Sequence, residues 1–356
     1  MSDNSAQNKQ VQLVSYPRGL PQESDFRIVR APVQRPRDGE FLVRGIFLSL
    51  DPWQRLRMRD PAAFRGQYGT PVLLNSVVPG AVVGEVVETR NPAFRVGEIV
   101  EAKLGWQCYA VTDGAGDRKD DAAGIVKVDP SRGSLSTALG VLGRTGMTAY
   151  FSLLDVGRIR QGETVLVSTA AGATGSVAGQ IARIEGCRAV GLVGTAEKMR
   201  FVVDELGFDA AVDYRDEDGL DRALSEACPQ GVDVYLDLVG GDLADRILRH
   251  MNDRGRWVVI GHIADYDKPI DAHVGLRPQG YILGRRLRME GFVVHDYAAR
   301  FPEAVSRMSA WMSEGRLRYR EHVTKGLENA PRAFIDMLSG GNIGKALVRV
   351  GPDPVP

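Results

Sequence analysis

The chain has 356 residues, too many for one small hydrophobic core and enough for two domains. Its 45 basic and 45 acidic side chains cancel, so no basic excess points to nucleic acid or an anionic membrane surface. Apolar residues make up 44 %, no apolar run is long enough to span a bilayer, and the polar stretch 1–10 lacks the apolar core of a signal peptide, so a cytoplasmic protein is expected.

Up to about residue 125, short β-type runs alternate with Gly and Pro turns, at 41–50, 81–88, 98–103 and 109–112. In this stretch Arg55-Leu56-Arg57-Met58-Arg59 could form a phosphate- or nucleic-acid-binding patch, but with no net charge it reads as a solvated surface segment, as do Arg285, Arg286 and Arg288. The pattern then changes to βα units. Strands are predicted at 163–169, 188–193, 210–212, 232–237 and 257–260, and helices at 176–185, 196–206, 220–227 and 243–251. The first of these helices places Val177, Ile181 and Ile184 on one face, and Gly207 reads as the C-cap of the second. Such alternation implies a parallel sheet covered on both faces. The tail reads as helices at 301–313 and 329–338 and a strand at 345–350. A strand so late implies a discontinuous β-rich domain wrapped around an inserted nucleotide-binding domain.

The residues that carry metal or nucleophile chemistry are sparse. Cys108, Cys187 and Cys228 are odd in number, far apart and without a CxxC pair, so neither a disulfide framework nor a structural zinc site is expected. His250, His262, His273, His295 and His322 show no ligand spacing such as HExxH, and no metal is expected. Ser168 and Ser176 are not set in a G-x-S-x-G elbow.

The sharpest local signal is Ala170-Ala171-Gly172-Ala173-Thr174-Gly175-Ser176, between a predicted strand and a predicted helix. Glycine permits a tight turn and close backbone approach to a pyrophosphate, and the helix N-terminus favours the negative phosphates. A variant of G-x-G-x-x-G in this context reads as a dinucleotide-binding Rossmann turn. An NAD-preferring site carries an acid about 20 residues further on, bonded to the ribose 2′-hydroxyl. Here the next strand ends in Gly194-Thr195 without an acid, and Lys198 and Arg200 follow, beside Glu197. Cations there suit a 2′-phosphate, so NADPH is the expected cofactor.

Motifs along nearly the whole chain carry a family resemblance. They are Ser49-Leu50-Asp51-Pro52-Trp53, Val83-Gly84-Glu85-Val86-Val87-Glu88, Gly105-Trp106-Gln107 with Tyr109-Ala110-Val111, and Gly146-Met147-Thr148-Ala149-Tyr150. After the phosphate turn come Asp237-Leu238-Val239-Gly240-Gly241, Arg288-Met289-Glu290-Gly291-Phe292-Val293-Val294 and Asn342-Ile343-Gly344-Lys345. The chain resembles the zinc-free medium-chain dehydrogenase/reductases, on the alkenal/one reductase branch that includes prostaglandin reductases and bacterial curcumin reductases.

The resemblance implies an α/β protein with a GroES-like β-rich domain (1–130 and 312–356) and a Rossmann domain with a doubly wound parallel sheet (131–311), the active site lying in the cleft between them. It implies cofactor contacts from Gly172, Ala173, Thr174, Gly175 and Ser176 at the phosphates, Lys198 at the 2′-phosphate and Tyr214 near the adenine. Thr148 falls beside the phosphates or nicotinamide ribose, and Ile260, Gly261 and Tyr266 on a loop lining the cofactor. Phe292, Val293 and Val294 fall near the carboxamide, and Asn342 closes over the cofactor. It also implies a homodimer. The chain departs from the family where Leu238 replaces an asparagine, Ile260 a cysteine, and Arg144-Thr145 a Met-Pro pair bordering the substrate cleft. The leading expectation is NADPH-dependent reduction of the carbon–carbon double bond of a small enal or enone, with Tyr266 as catalytic donor. The competing readings are quinone reduction and a non-catalytic NADPH-binding redox sensor.

Overall fold

The computed structural model describes residues 7–63, 69–115, 124–269 and 272–354. The chain forms two compact units, one from Met1–Gly140 with Glu321–Pro356 and one from Val141–Arg320. The first unit begins with strands β1 (Gln7–Leu13), β2 (Phe26–Pro32) and β3 (Phe41–Ser49), then helix α1 (Trp53–Arg57). It continues with β4 (Ser76–Val77), β5 (Val82–Thr89), β6 (Ile99–Ala102), β7 (Tyr109–Thr112) and β8 (Val126–Lys127). The second unit runs through α2 (Arg144–Phe151), β9 (Thr164–Val167), α3 (Ala173–Ile184), β10 (Arg188–Val193), α4 (Ala196–Arg200), β11 (Ala210–Asp213) and α5 (Leu220–Ala227). After these come β12 (Val232–Asp237), α6 (Gly241–Ile247), β13 (Met251–Val259), α7 (Gln279–Arg285), β14 (Arg288–Gly291) and α8 (Phe301–Ser313). The chain then returns to the first unit with β15 (Glu321–Lys325), α9 (Ala330–Leu338) and β16 (Lys345–Arg349). No described helix is long and apolar enough to cross a membrane.

In the first unit β15-β16-β3-β5-β6-β8 form the larger sheet, with β7 also paired to β3, and β2-β1-β4 form a smaller one. The strand β1 begins in the stretch 1–10 that composition marks only as polar. It forms because Val11 and Leu13 turn into a core with Trp106 and Phe334. Its buried Asn8 is satisfied by the backbone of Tyr109, donating to the carbonyl at 2.8 Å and accepting from the N–H at 2.9 Å.

The arginine-rich run 55–59 is not the solvated segment its charges suggest. Arg55 is 3 % exposed and Met58 fully buried. Arg55 donates to the Gly19 carbonyl through Nε at 3.2 Å and Nη2 at 2.8 Å, and Arg57 donates to the Thr70 carbonyl at 2.6 Å and hydroxyl at 2.7 Å. Guanidinium groups tolerate burial when their N–H donors find oxygens, and their stems then pack like apolar chains.

In the second unit all six strands pair in parallel, in the order β11-β10-β9-β12-β13-β14. This is the doubly wound sheet expected, with Leu166, Val190, Leu192, Tyr235 and Trp257 in its core. Among the departures from expectation, three are instructive. Helix α3 begins at Ala173, inside the phosphate turn, because Gly172 is extended (φ −85°, ψ 178°) and serves as its N-cap. Strand β13 starts six residues early, at Met251, with a register break opposite β12 that carries Arg254 at φ 61°. The short β14 escaped sequence reading because an edge strand with three exposed residues has no apolar alternation.

Candidate functional site

Parallel strands deliver their following loops to one edge of the sheet, where ligands of such folds collect. Within the second unit, most of the residues expected to bind the cofactor lie on those loops. After β9 the chain turns tightly at Thr169 (φ 47°) and enters α3 at Gly172. The Ala170 N–H donates to the Leu192 carbonyl at 3.0 Å, tying the turn to β10. No side chain caps the N-terminus of α3, so the first-turn N–H groups of Ala173, Thr174 and Gly175 are not claimed by a cap. A Cβ on Gly175 would sit 2.9 Å from the Ala170 Cα, and one on Gly191 2.7 Å from the Ala170 Cβ. Glycine at both places lets helix and strand close on the turn. The buried hydroxyl of Ser176 donates back to the Ala173 carbonyl at 3.4 Å, and its N–H donates to the Gly172 carbonyl at 3.0 Å.

Lys198 and Tyr214 both border the end of β10, where the Tyr214 N–H donates to the Val193 carbonyl at 3.0 Å. Thr195 caps α4 by accepting from the Lys198 N–H at 3.2 Å. The Tyr214 hydroxyl lies 3.0 Å from where a Cβ on Gly194 would stand. Burial, the nearby charge of Arg215 and, in opposition, Glu197 act on the Lys198 ammonium, with a net downward shift of its pKa.

On the other side of β9, the loops after β12 and β13 are locked to each other. Ile260 N–H donates to the Asp237 carbonyl at 2.8 Å and Ala264 N–H to the Val239 carbonyl at 3.0 Å. The Asp237 carboxylate, 1 % exposed, accepts from the Tyr235 hydroxyl, the Trp257 Nε1 and the N–H groups of Val239 and Gly240 at 2.9–3.0 Å. Burial pushes this carboxyl above its ordinary range against the pull of those four donors. Ser168 extends the lock, accepting from the Leu238 N–H at 2.8 Å. Sequence reading treated Asp237 only as part of a motif. Its role was hidden because its burial and its Trp257 partner depend on the neighbouring strand β13, which residue order does not display.

Tyr266 follows a short 3-10 turn, Ile263–Asp265, and is 8 % exposed. Its hydroxyl oxygen lies 3.5 Å from where a Cβ on Gly261 would stand, and its ring meets His262 edge-on at 4.9 Å. Phe292 is buried, with its ring stacked on Tyr297 at 5.4 Å and its N–H donated to the Val259 carbonyl at 3.0 Å. Val293, 41 % exposed, and Val294 continue from it into a 3-10 turn. Thr148 stands on α2, its hydroxyl donating to the Arg144 carbonyl at 2.8 Å. Asn342 belongs to the first unit. There its amide donates to the Gly344 carbonyl at 2.7 Å and lines a cavity of about 240 Å³ with Leu50, His322 and Met337. Among the described residues, no three His, Cys, Asp or Glu side chains converge in a way that could hold a metal ion.

The arrangement fits a dinucleotide. The uncapped helix terminus and close-packed glycines could hold two phosphates, cations stand at the end of the neighbouring strand, and a phenol stands two strands away on the opposite side. Comparisons with known proteins point the same way. Residues 9–119 match a family described as the N-terminal domain of oxidoreductase, and residues 173–310 one described as zinc-binding dehydrogenase. The chain is 38 % identical to the NADPH-dependent curcumin reductase of Escherichia coli, over 99 % of its own length and 100 % of that protein. It is 40 % identical to prostaglandin reductase 1 of Rattus norvegicus, over 93 % and 95 % respectively. The crystal structure of CurA in complex with NADPH from Vibrio vulnificus superposes with a TM-score of 0.88 at 37 % identity, covering 97 % of this chain and 100 % of that one.

Proposed function

The chain belongs to the medium-chain dehydrogenase/reductases, on the branch of the curcumin and prostaglandin reductases, and from that premise we propose that it is an NADPH-dependent oxidoreductase that saturates the carbon–carbon double bond of an α,β-unsaturated aldehyde or ketone. The observation that carries the reading is that one sheet edge bears the uncapped N-terminus of α3 at Gly172–Ser176, the ammonium of Lys198 and the buried phenol of Tyr266. NADPH, when bound, supplies the hydride that adds to the β-carbon of the substrate.

The remaining steps belong to the chain's own residues. The first-turn N–H groups of α3 donate to the pyrophosphate, and Lys198 and Tyr214 hold the 2′-phosphate and adenine end. Thr148, Ile260, Gly261 and the Phe292–Val294 backbone confine the rest. Reduction at the β-carbon places negative charge on the carbonyl oxygen. A preorganised donor at that oxygen stabilises the transition state, and loss of one such donor typically costs about 10²–10³ in rate. Tyr266 is assigned that donation, and it or solvent delivers the proton to the α-carbon.

We further infer action in the cytoplasm and a homodimer formed along the outer edge of β14, the edge strand of the six-stranded sheet. The decisive experiment is NADPH consumption with an alkenal, an enone and a quinone, followed by product analysis with 4-deuterated NADPH. Deuterium is expected at the β-carbon. Deuterium on the carbonyl carbon would make the protein a carbonyl reductase, and turnover of the quinone alone would overturn the enone reading.

A further inference from the structure

Arg215 belongs to no sequence motif, yet its charge acts on Lys198. Its backbone N–H donates to Asp213 Oδ1 at 2.9 Å, which turns the chain at the end of β11. That turn lays the side chain across the end of β10. Its Nε lies 2.8 Å, and the Tyr214 hydroxyl 3.0 Å, from where a Cβ on Gly194 would stand. Any larger residue at 194 would push both away. Among the described residues, no acid forms an ion pair with Arg215, although Asp213, Asp216, Glu217 and Asp218 are its neighbours in sequence. Asp213 Oδ1 accepts from Arg215's own N–H and Asp216 Oδ1 from Gly219 N–H.

Lys198 and Arg215 therefore place two cations close enough to repel, from separate elements, at one strand end. Like charges held together raise the energy of the protein alone, and a bound dianion reverses the sign of that contribution. A guanidinium adds what an ammonium lacks, a planar fork that matches a phosphate with two parallel donors.

We propose that Arg215 is a specificity-determining residue that reads the 2′-phosphate of NADPH together with Lys198, so that selection against NADH rests on a pair of cations rather than on Lys198 alone. This rests on the cofactor reading above. Arg215 is exposed, so its replacement leaves the core intact. The test is calorimetric binding of NADPH, NADH, 2′,5′-ADP and 5′-AMP to the wild type and to Arg215→Gln, Arg215→Lys and Lys198→Ala. Arg215→Gln is expected to weaken NADPH and 2′,5′-ADP by about tenfold, as for loss of one charge-assisted contact, with NADH and 5′-AMP unchanged. Arg215→Lys should recover part of the loss, since it keeps the charge without the fork. Equal weakening of all four ligands, or no weakening of any, overturns the proposal. If Lys198→Ala alone lowers NADPH affinity, the 2′-phosphate does sit here and only the role of Arg215 fails. If neither variant discriminates between NADPH and NADH, the placement of the 2′-phosphate fails with it.

Discussion

Three side chains give predictions at the scale of single residues. Lys198→Ala should lose about 1.5–3 kcal/mol of NADPH binding, the worth of a charge-assisted contact to phosphate, with little change for NADH. Fluorescence titration with both cofactors checks this, and equal losses would remove Lys198 from the 2′-phosphate. Tyr266→Phe keeps the buried ring and removes the hydroxyl. Turnover of an enone should fall about 10²-fold with NADPH affinity unchanged; wild-type turnover would leave the phenol without a catalytic role. Asp237 bears on stability. Burial raises its carboxyl pKa above 3.8, so the folded state holds that proton more tightly than the unfolded chain, and this group's contribution to stability declines as pH rises from about 3.8 through the raised value. Asp237→Asn should flatten that decline. It also turns an amide N–H toward the Trp257 Nε1 donor, leaving a buried donor unpaired at a cost of about 1–3 kcal/mol. Urea melts at several pH values measure both effects.

Elements depend on close approaches that no single residue advertises. Gly179, on α3, faces the Phe208 ring, and a Cβ added there would collide with it. Gly179→Ala should cost about 1–3 kcal/mol by overpacking and shift α3, with its phosphate-binding end, relative to the sheet. A lower denaturation midpoint together with weaker NADPH binding is the expected result. In the first unit, β16 is pinned by Lys345, whose buried ammonium donates to the Leu50 carbonyl at 2.7 Å and to Asp51 Oδ1 at 2.8 Å. Truncating one partner of a buried pair strands the other charge, so Lys345→Met should destabilise by about 3–5 kcal/mol. Asp51 and Lys345 sit in two of the motifs that carry the family resemblance, and their pairing gives one physical reason for both. The strand–turn–helix from β9 to α3 was legible because all its determinants are local, namely an apolar run, glycines and a helical stripe. The strand β14 was not, since it forms by pairing with β13 and its own residues show no apolar alternation.

At the scale of the whole molecule, activity is expected to survive EDTA, since the described residues offer no metal cluster. Full loss in EDTA with recovery on adding zinc would overturn the metal-free assignment. The amino-acid sequence by itself determined the alternating βα order, the phosphate turn and the absence of an acid after Val193, because each is written in residues adjacent along the chain. Tertiary structure alone decided the rest. It buried residues 55–58 by supplying carbonyls from Gly19 and Thr70, and it made residues 7–13, polar apart from Val11 and Leu13, a strand through Tyr109 and Trp106. It also brought Arg215 beside Lys198 at the end of β10. The physical reason is the same in each case. A charged or polar side chain takes its meaning from the partner it meets, and these partners are set by the parallel stacking of strands and by loop returns, which residue order does not display.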